Sequence, residues 1–106
     1  MKNISFNPEA SRSVVFNPSD TINAYVMTGA SIAVTVPTYA TIASFSATGN
    51  FYVKWTAGGT AAIPGANVTD GTASELNPTT RDLNGLASFA IIGAASTVVT
   101  VSYYNV

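Results

Sequence analysis

The chain has 106 residues, a formal net charge of −1, and neither cysteine nor histidine. Disulfides and cysteine-based metal sites are therefore excluded, and the most common general base is absent. Only 8% of the residues are charged, against about 25% in an ordinary soluble domain. Binding to nucleic acid requires several cations on one face, and the few cations of this chain are scattered, so we predict no nucleic-acid partner. We also predict no cofactor. The four cations are scattered along the chain: Lys2, Arg12, Lys54 and Arg81.

The apolar composition favours strands over helices. Valine and isoleucine together number 18 and threonine 14, whereas leucine occurs only 3 times. Branching at Cβ restricts the χ1 angle and suits the pleated strand. Because 106 residues fit one domain, the composition predicts a single all-β domain spanning residues 1–106.

The N-terminal part of the chain is polar and rich in proline. Residues 1–12 contain Asn7-Pro8 and predict an N-terminal arm, and residues 13–16, which lie between two prolines, predict a short edge strand. The opening residues lack the apolar run of a signal peptide. No stretch of about 18 apolar residues indicates a membrane span, so we expect no membrane partner.

Two alternating segments follow and predict a first hairpin. Residues 21–28 and residues 31–36 flank a Gly-Ala turn, and alternation with a period of two is typical of strands. In the first segment, Ile22, Ala24 and Val26 share one face. Two such runs joined by a short turn indicate antiparallel neighbours.

A second hairpin is predicted from residues 39–47 and 51–56. The segment between them, Thr48-Gly49-Asn50, suits a tight turn because glycine and asparagine tolerate positive φ. Alternation in the second strand places Tyr52 and Lys54 on the face opposite Phe51, Val53 and Trp55.

The chain closes with two further strands, residues 87–92 and 96–104, and residues 61–63 predict a short strand before Pro64. Seven or eight short strands separated by frequent turn signals, with no credible helix, are typical of a β-sandwich. The sequence therefore predicts an antiparallel, jelly-roll-like β-sandwich.

Residues 65–86 differ in composition from the rest of the chain, because Gly, Asn, Asp, Thr and Pro dominate them. A loop longer than about 12–15 residues is uncommon in a compact domain and is usually functional. We therefore predict an interface loop here. Its candidate contact residues are Asp70, Glu75, Asn77, Arg81 and Asp82.

The acidic residues of this segment allow two interpretations. Asp70, Glu75 and Asp82 could flank a glycoside or surround a metal ion, but a glycosidase needs a shaped cleft and calcium needs about six to eight oxygen ligands. Alternatively, Asp70 begins a turn at Gly71, and Glu75 or Asp82 pairs with Arg81. The second interpretation is favoured, so we predict no metal site and no catalytic residue.

The aromatic residues also allow two interpretations. Alternation places Tyr52 opposite Trp55, which makes Tyr52 a candidate exposed aromatic residue on a sugar-binding face. Core or interface packing is the more common role of such residues.

The sequence contains no Gly-x-Ser-x-Gly or Ser-x-x-Lys pattern, and nucleophilic catalysis needs a base beside its nucleophile. We predict that the protein is not an enzyme.

Part of the sequence resembles a known family. The most distinctive block is residues 70–78, Asp-Gly-Thr-Ala-Ser-Glu-Leu-Asn-Pro. The blocks that carry the resemblance are residues 45–53, 61–64, 68–78, 81–83 and 98–101. They resemble small structural proteins of tailed-phage virions, over a little more than half of the chain.

This resemblance implies a β-sandwich or jelly-roll subunit of the virion, assembled in the host cytoplasm, and within that group a capsid decoration (cement) protein. It implies as partners the major capsid protein or another virion protein, and a homo-oligomer, either dimer or trimer, because decoration subunits sit at symmetry axes. We expect the 65–86 loop and the N-terminal arm to make these contacts. The alternative is a glycan- or host-binding module of a head or tail fibre.

Overall fold

The computed structural model describes residues 2–6, 14–16 and 18–105, with side chains from residue 18 onward. These ranges form ten strands and no helix, so none of them contains a helix that could cross a bilayer. The strands are β1 (Lys2–Phe6), β2 (Val14–Phe16), β3 (Ile22–Val26), β4 (Ile32–Thr35), β5 (Ile42–Ala47), β6 (Phe51–Lys54), β7 (Glu75–Leu76), β8 (Thr80–Asp82), β9 (Ser88–Gly93) and β10 (Val98–Asn105).

The strands form two sheets. Sheet I has the order β2-β1-β10-β5-β8, and β3 also pairs with β10, on residues that precede those paired with β1. Sheet II has the order β4-β9-β6-β7. The pairs are antiparallel except for β1 with β10. Side chains from the inner faces of both sheets form one core, which confirms the predicted β-sandwich.

The pairing between strands is nested along the chain. The strand β3 pairs with β10, β4 with β9, β5 with β8, and β6 with β7, each pair antiparallel. The strands from β3 to β10 are therefore one long hairpin that is rolled up into two four-stranded layers. This arrangement of eight strands is the jelly roll, and it confirms the predicted fold class.

The two hairpins predicted from the sequence are wrong. The first would pair residues 21–28 with 31–36, but β3 lies in sheet I and β4 lies in sheet II. The second would pair residues 39–47 with 51–56, but β5 and β6 also belong to different sheets. Turn residues mark where a strand ends, and they do not determine whether the chain returns beside that strand or crosses to the facing sheet about 10 Å away.

Fully buried residues alternate with less buried ones along most of β6 and β10. On β10, Val99, Val101 and Tyr103 are fully buried. On β6, Phe51 and Val53 are buried, whereas Tyr52 and Lys54 lie on the opposite face and are half-buried. The core is completed by Met27, Val34, Ala43, Leu83, Phe89 and Ile91, with Phe45 and Trp55 packed against it.

On β3 the apolar residues lie on the outer face. Ile22, Ala24 and Val26 share one face, as predicted, but they are exposed, whereas Tyr25 and Met27 pack into the core. A period of two reveals that a strand has two faces, and it does not reveal which face the partner sheet covers.

The segment 65–86 is more ordered than a loop, because it contains both β7 and β8. The strand predicted at residues 61–63 does not form; the Ala61 amide instead donates to the Ser31 hydroxyl. Of the predicted arm, residues 2–6 form β1, and residues 1 and 7–12 lie outside the described residues. The predicted edge strand is β2, at the end of sheet I, with residue 13 outside the described residues.

Gly93, at the end of β9, marks a close approach between the chain segments that join the sheets. A Cβ atom at this position would lie 3.0 Å from Met27 Cγ and 3.2 Å from the Asn50 carbonyl oxygen. We expect Gly93→Ala to lower the free energy of unfolding by about 1–3 kcal/mol, as overpacking of a core does. Urea denaturation measures the change.

The matched control is Gly65→Ala, since a Cβ atom at Gly65 would meet no atom within 4 Å. Equal stabilities for the two alanine variants would contradict the close approach.

Candidate functional site

Glu75 and Arg81 join the two sheets at one open side of the sandwich. Glu75 is on β7, the last strand of sheet II, and Arg81 is on β8, the last strand of sheet I. Their register partners, Val53 and Ala43, belong to the core, so both side chains point toward the space between the sheets. The guanidinium donates two hydrogen bonds to the carboxylate, from Nε to Oε1 at 3.1 Å and from Nη2 to Oε2 at 2.5 Å.

Trp55 ties this ion pair to the core. Its indole Nε1 donates to Glu75 Oε1 at 2.9 Å, and its ring packs against Phe45 and Phe89 with centroid distances of 5.7 and 5.1 Å. The tryptophan therefore follows β6 into the core side of the sandwich, as the sequence predicted, and its polar edge is satisfied by the carboxylate.

The hydrogen bonds from Arg81 hold the pKa of Glu75 below its ordinary value, with a further contribution from the Trp55 indole. The carboxylate in turn raises the pKa of Arg81. Both side chains remain more than a third exposed. Glu75 and Arg81 are thus both charged near neutral pH, and each is hydrogen-bonded to the other. Glu75 is therefore not poised to exchange protons with a substrate.

An open cavity of about 420 Å³ lies beside this ion pair. It is lined on its polar side by Glu75, Arg81, Asp82 and Asn84. Trp55, Leu83 and Leu86 provide its apolar side. An indole next to carboxylate and amide groups is a combination that can receive a small polar ligand.

The remaining candidate residues of the 65–86 segment serve local structure. Asp70 accepts hydrogen bonds from both the amide and the hydroxyl of Thr72, which lowers the pKa of Asp70. The Lys54 ammonium donates to the Thr72 carbonyl at 2.5 Å and fixes this turn to β6. Asp82 accepts from the amide of Asn84.

Asn77 fixes the turn between β5 and β6. Its Oδ1 accepts from the Phe51 amide at 3.0 Å, and its Nδ2 donates to Asn50 Oδ1 at 2.9 Å. Its backbone has φ of 47°, a conformation that asparagine tolerates better than most residues. Asn77 is therefore a structural residue of this corner.

These positions agree with the structural interpretation of the acidic residues. Asp70 begins the turn at Gly71, whose φ is 85°, and Glu75 is the carboxylate that pairs with Arg81. The acidic side chains of residues 18–105 do not gather in any group of three that could hold a metal ion.

The outer face of sheet I is almost free of charge over the strands whose side chains are described. Thr100 and Ser102 of β10 lie at its centre, with Ser44 and Ser46 of β5 as register partners. On the other side, Ile22, Ala24 and Val26 of β3 extend the same face. Asp82, at the far edge on β8, is the one charged residue that these strands place there.

The outer face of sheet II contains Tyr52, the predicted exposed aromatic residue. By register, Tyr52 lies between Leu76 of β7 and Ile92 of β9, and it is half-buried. Lys54 of the same strand also occupies this face. Tyr52 is thus part of a packed row and does not stand alone in solvent.

Comparison of this chain with protein-family models, curated proteins and solved structures finds no match. The assignment of the jelly roll therefore rests on the strand order alone.

We expect Asn77→Ala to lower the free energy of unfolding by about 1–2 kcal/mol more than Asn84→Ala, because two side-chain hydrogen bonds are lost. Asn84 is a matched control, since its backbone φ is 50° and its side chain makes no hydrogen bond to a described residue. Chemical denaturation of both variants measures the difference. If both variants lost the same free energy of unfolding, the loss would be due to backbone conformation and not to the side-chain hydrogen bonds of Asn77.

The depressed pKa of Glu75 predicts a pH-dependent contribution to stability. The contribution is complete above the ordinary glutamate value of 4.5 and disappears as the pH falls through the lower, folded-state value. Near neutral pH, Glu75→Gln should reduce the free energy of unfolding by about 0.5–1 kcal/mol, since the pair is partly screened by solvent. At about pH 3 the difference from the native chain should shrink.

Denaturation curves at several pH values test this expectation, with Asp82→Asn as the control that leaves the ion pair intact. A difference between Glu75→Gln and the native chain that stays constant with pH would contradict it.

Proposed function

We propose that the protein is a structural subunit of a virion, a capsid decoration protein that binds the shell through the outer face of sheet I. The observation that supports this most directly is the chemistry of that face. Its central residues carry hydroxyl or aliphatic side chains, and its one described charge lies at an edge.

Such a face suits contact with another protein surface. Burying an unpaired charge is strongly unfavourable, and the cores of protein interfaces are depleted of charged residues. Serine and threonine hydroxyls can exchange water for backbone groups of a partner at small cost. A face built from Ser44, Ser46, Thr100 and Ser102 therefore loses little solvation free energy when a partner covers it.

The fold and the sequence resemblance support the same proposal. Jelly rolls are common in capsid proteins, and the resemblance to phage virion proteins covers the segment from β5 to β10. The side chains of the most distinctive block, residues 70–78, serve the turn at Asp70 and the corner at Asn77. The residues of that block therefore hold together one corner of this chain's fold.

A glycan- or host-binding module is the second candidate, because jelly rolls also occur in lectins. The cavity beside Trp55 supports it, since aromatic, carboxylate and amide groups meet there. However, Glu75, Arg81 and the Trp55 indole nitrogen already bind one another. A sugar would have to use Asp82, Asn84 and the remaining edge of the indole.

The proposed function is tested by sedimentation of the protein with purified shells of its source that lack it. We expect the native chain to sediment with the shells. Ser46→Lys should weaken binding at least tenfold, because an ammonium group buried at the centre of the face costs more than about 1.4 kcal/mol.

Thr35→Lys is the matched control, since Thr35 is also exposed but belongs to the outer face of sheet II. A native chain that stays in the supernatant would refute the proposal. If both lysine variants lost shell binding equally, the outer face of sheet I would not be the binding face. A glycan array probed in parallel with the native chain and Asn84→Ala distinguishes the second candidate.

A further inference from the structure

The strand β3 is an open sheet edge with little protection. It pairs with β10 on one side, and no other strand of the described residues pairs with its second side. Its five residues, Ile22–Val26, include neither a charge nor a proline. Exposed edges of this kind readily pair with another strand, and proteins commonly block them with charges, prolines or short length.

The other ends of the two four-stranded layers carry such protection. The strand β7 has two residues and contains Glu75, and β8 has three residues and contains Arg81 and Asp82. The strand β4 is followed closely by Pro37. Just before β4, the hydroxyl of Ser31 accepts a hydrogen bond from the Ala61 amide, in the loop between β6 and β7. The β3 edge is thus the longest of the four. It contains no charge within the strand, and the nearest charged residue before it is Asp20.

The hydrogen bonds at both ends of β3 show which backbone groups face outward. The Thr21 carbonyl accepts from the Tyr103 amide, and the Met27 amide donates to the Thr97 carbonyl. In an antiparallel pair the bonding direction alternates along the strand. Odd-numbered residues therefore bond to β10, and the amide and carbonyl groups of Ile22, Ala24 and Val26 point to the open edge.

We propose that β3 pairs with β3 of a second copy of this chain, antiparallel and centred on Ala24, to form a two-fold symmetric dimer. In this register Ala24 faces its own symmetry mate, and Ile22 faces Val26 of the other copy. All outward amide and carbonyl groups of the edge then find partners. A shift of the register by two residues would leave some of them unpaired.

The side chains of β3 also favour a second copy of this strand as the partner. Ile22 is 55% exposed and Val26 is 62% exposed, and the pairing sets these two aliphatic side chains side by side across the interface, an arrangement that stabilises sheets. Asp20 would fall opposite Thr28 rather than opposite its own mate, so no like charges meet. An edge that is complementary to itself in backbone, shape and charge fits a second copy of the same edge.

This dimer goes beyond the proposed function and does not depend on it, because it is measured on the purified protein without shells. Sedimentation velocity at increasing concentration should give a species of twice the 10.9 kDa chain mass. Ala24→Lys should raise the dissociation constant at least tenfold, because it places two ammonium groups opposite each other at the axis.

The matched control is Ala33→Lys, since Ala33 is likewise an exposed alanine on a terminal strand, β4. This variant should dimerise like the native chain. Near-ultraviolet circular dichroism of Trp55 verifies that both variants are folded.

Hydrogen exchange on the native chain provides a test that needs no variant. The amides of Ile22, Ala24 and Val26 should be protected at concentrations where the dimer predominates and should exchange rapidly on dilution. The proposal is overturned by a native chain that is monomeric throughout, by a dimer that Ala24→Lys leaves intact or Ala33→Lys disrupts equally, or by a dimer in which these three amides exchange freely.

Discussion

The pairing of β3 with β10 is the contact on which the rest of the jelly roll depends. It joins the two ends of the rolled hairpin, and β10 also pairs with β5, so that Val99, Val101 and Tyr103 are enclosed between the sheets. The strands β4, β5, β8 and β9 pair only with strands distant in sequence. Such non-local pairing carries a large loop-closure entropy, so this fold is expected to form slowly for its size.

The sequence was informative about strands and much less so about their partners. Alternation separated the two faces of β3 and β6 correctly, and Thr48-Gly49-Asn50 located the end of β5. The prediction of strand pairing failed because the same glycine and asparagine residues occur both in the turn of a hairpin and where the chain crosses between sheets. The exposed face of β3 could not be predicted either, since its apolar residues Ile22 and Val26 have the composition of a core.

The candidate site shows a similar division. The turn at Asp70 and a pairing of Arg81 with Glu75 or Asp82 followed from residue type and spacing, and the structure shows Glu75 to be the partner. What the sequence could not supply was that β7 and β8 belong to opposite sheets, so that this ion pair bridges the sandwich. Segment 65–86 looked like a loop because edge strands can be short and polar. The side chains of Asp70, Glu75 and Arg81 bind partners within the fold, whereas residues 65–73 are exposed.

The two surfaces proposed as contacts, the outer face of sheet I and its β3 edge, are continuous. Ile22, Ala24 and Val26 belong to both, with their side chains on the face and their outward backbone groups at the edge. Pairing through the edge would therefore extend the face across two copies without covering its centre at Ser46 and Thr100. A dimer built in this way would present this weakly charged area twice, and two linked contacts bind a repetitive surface more tightly than either does alone. The low charge of the chain would suit both proposed contacts through one physical property, the small cost of removing water from serine, threonine and aliphatic side chains.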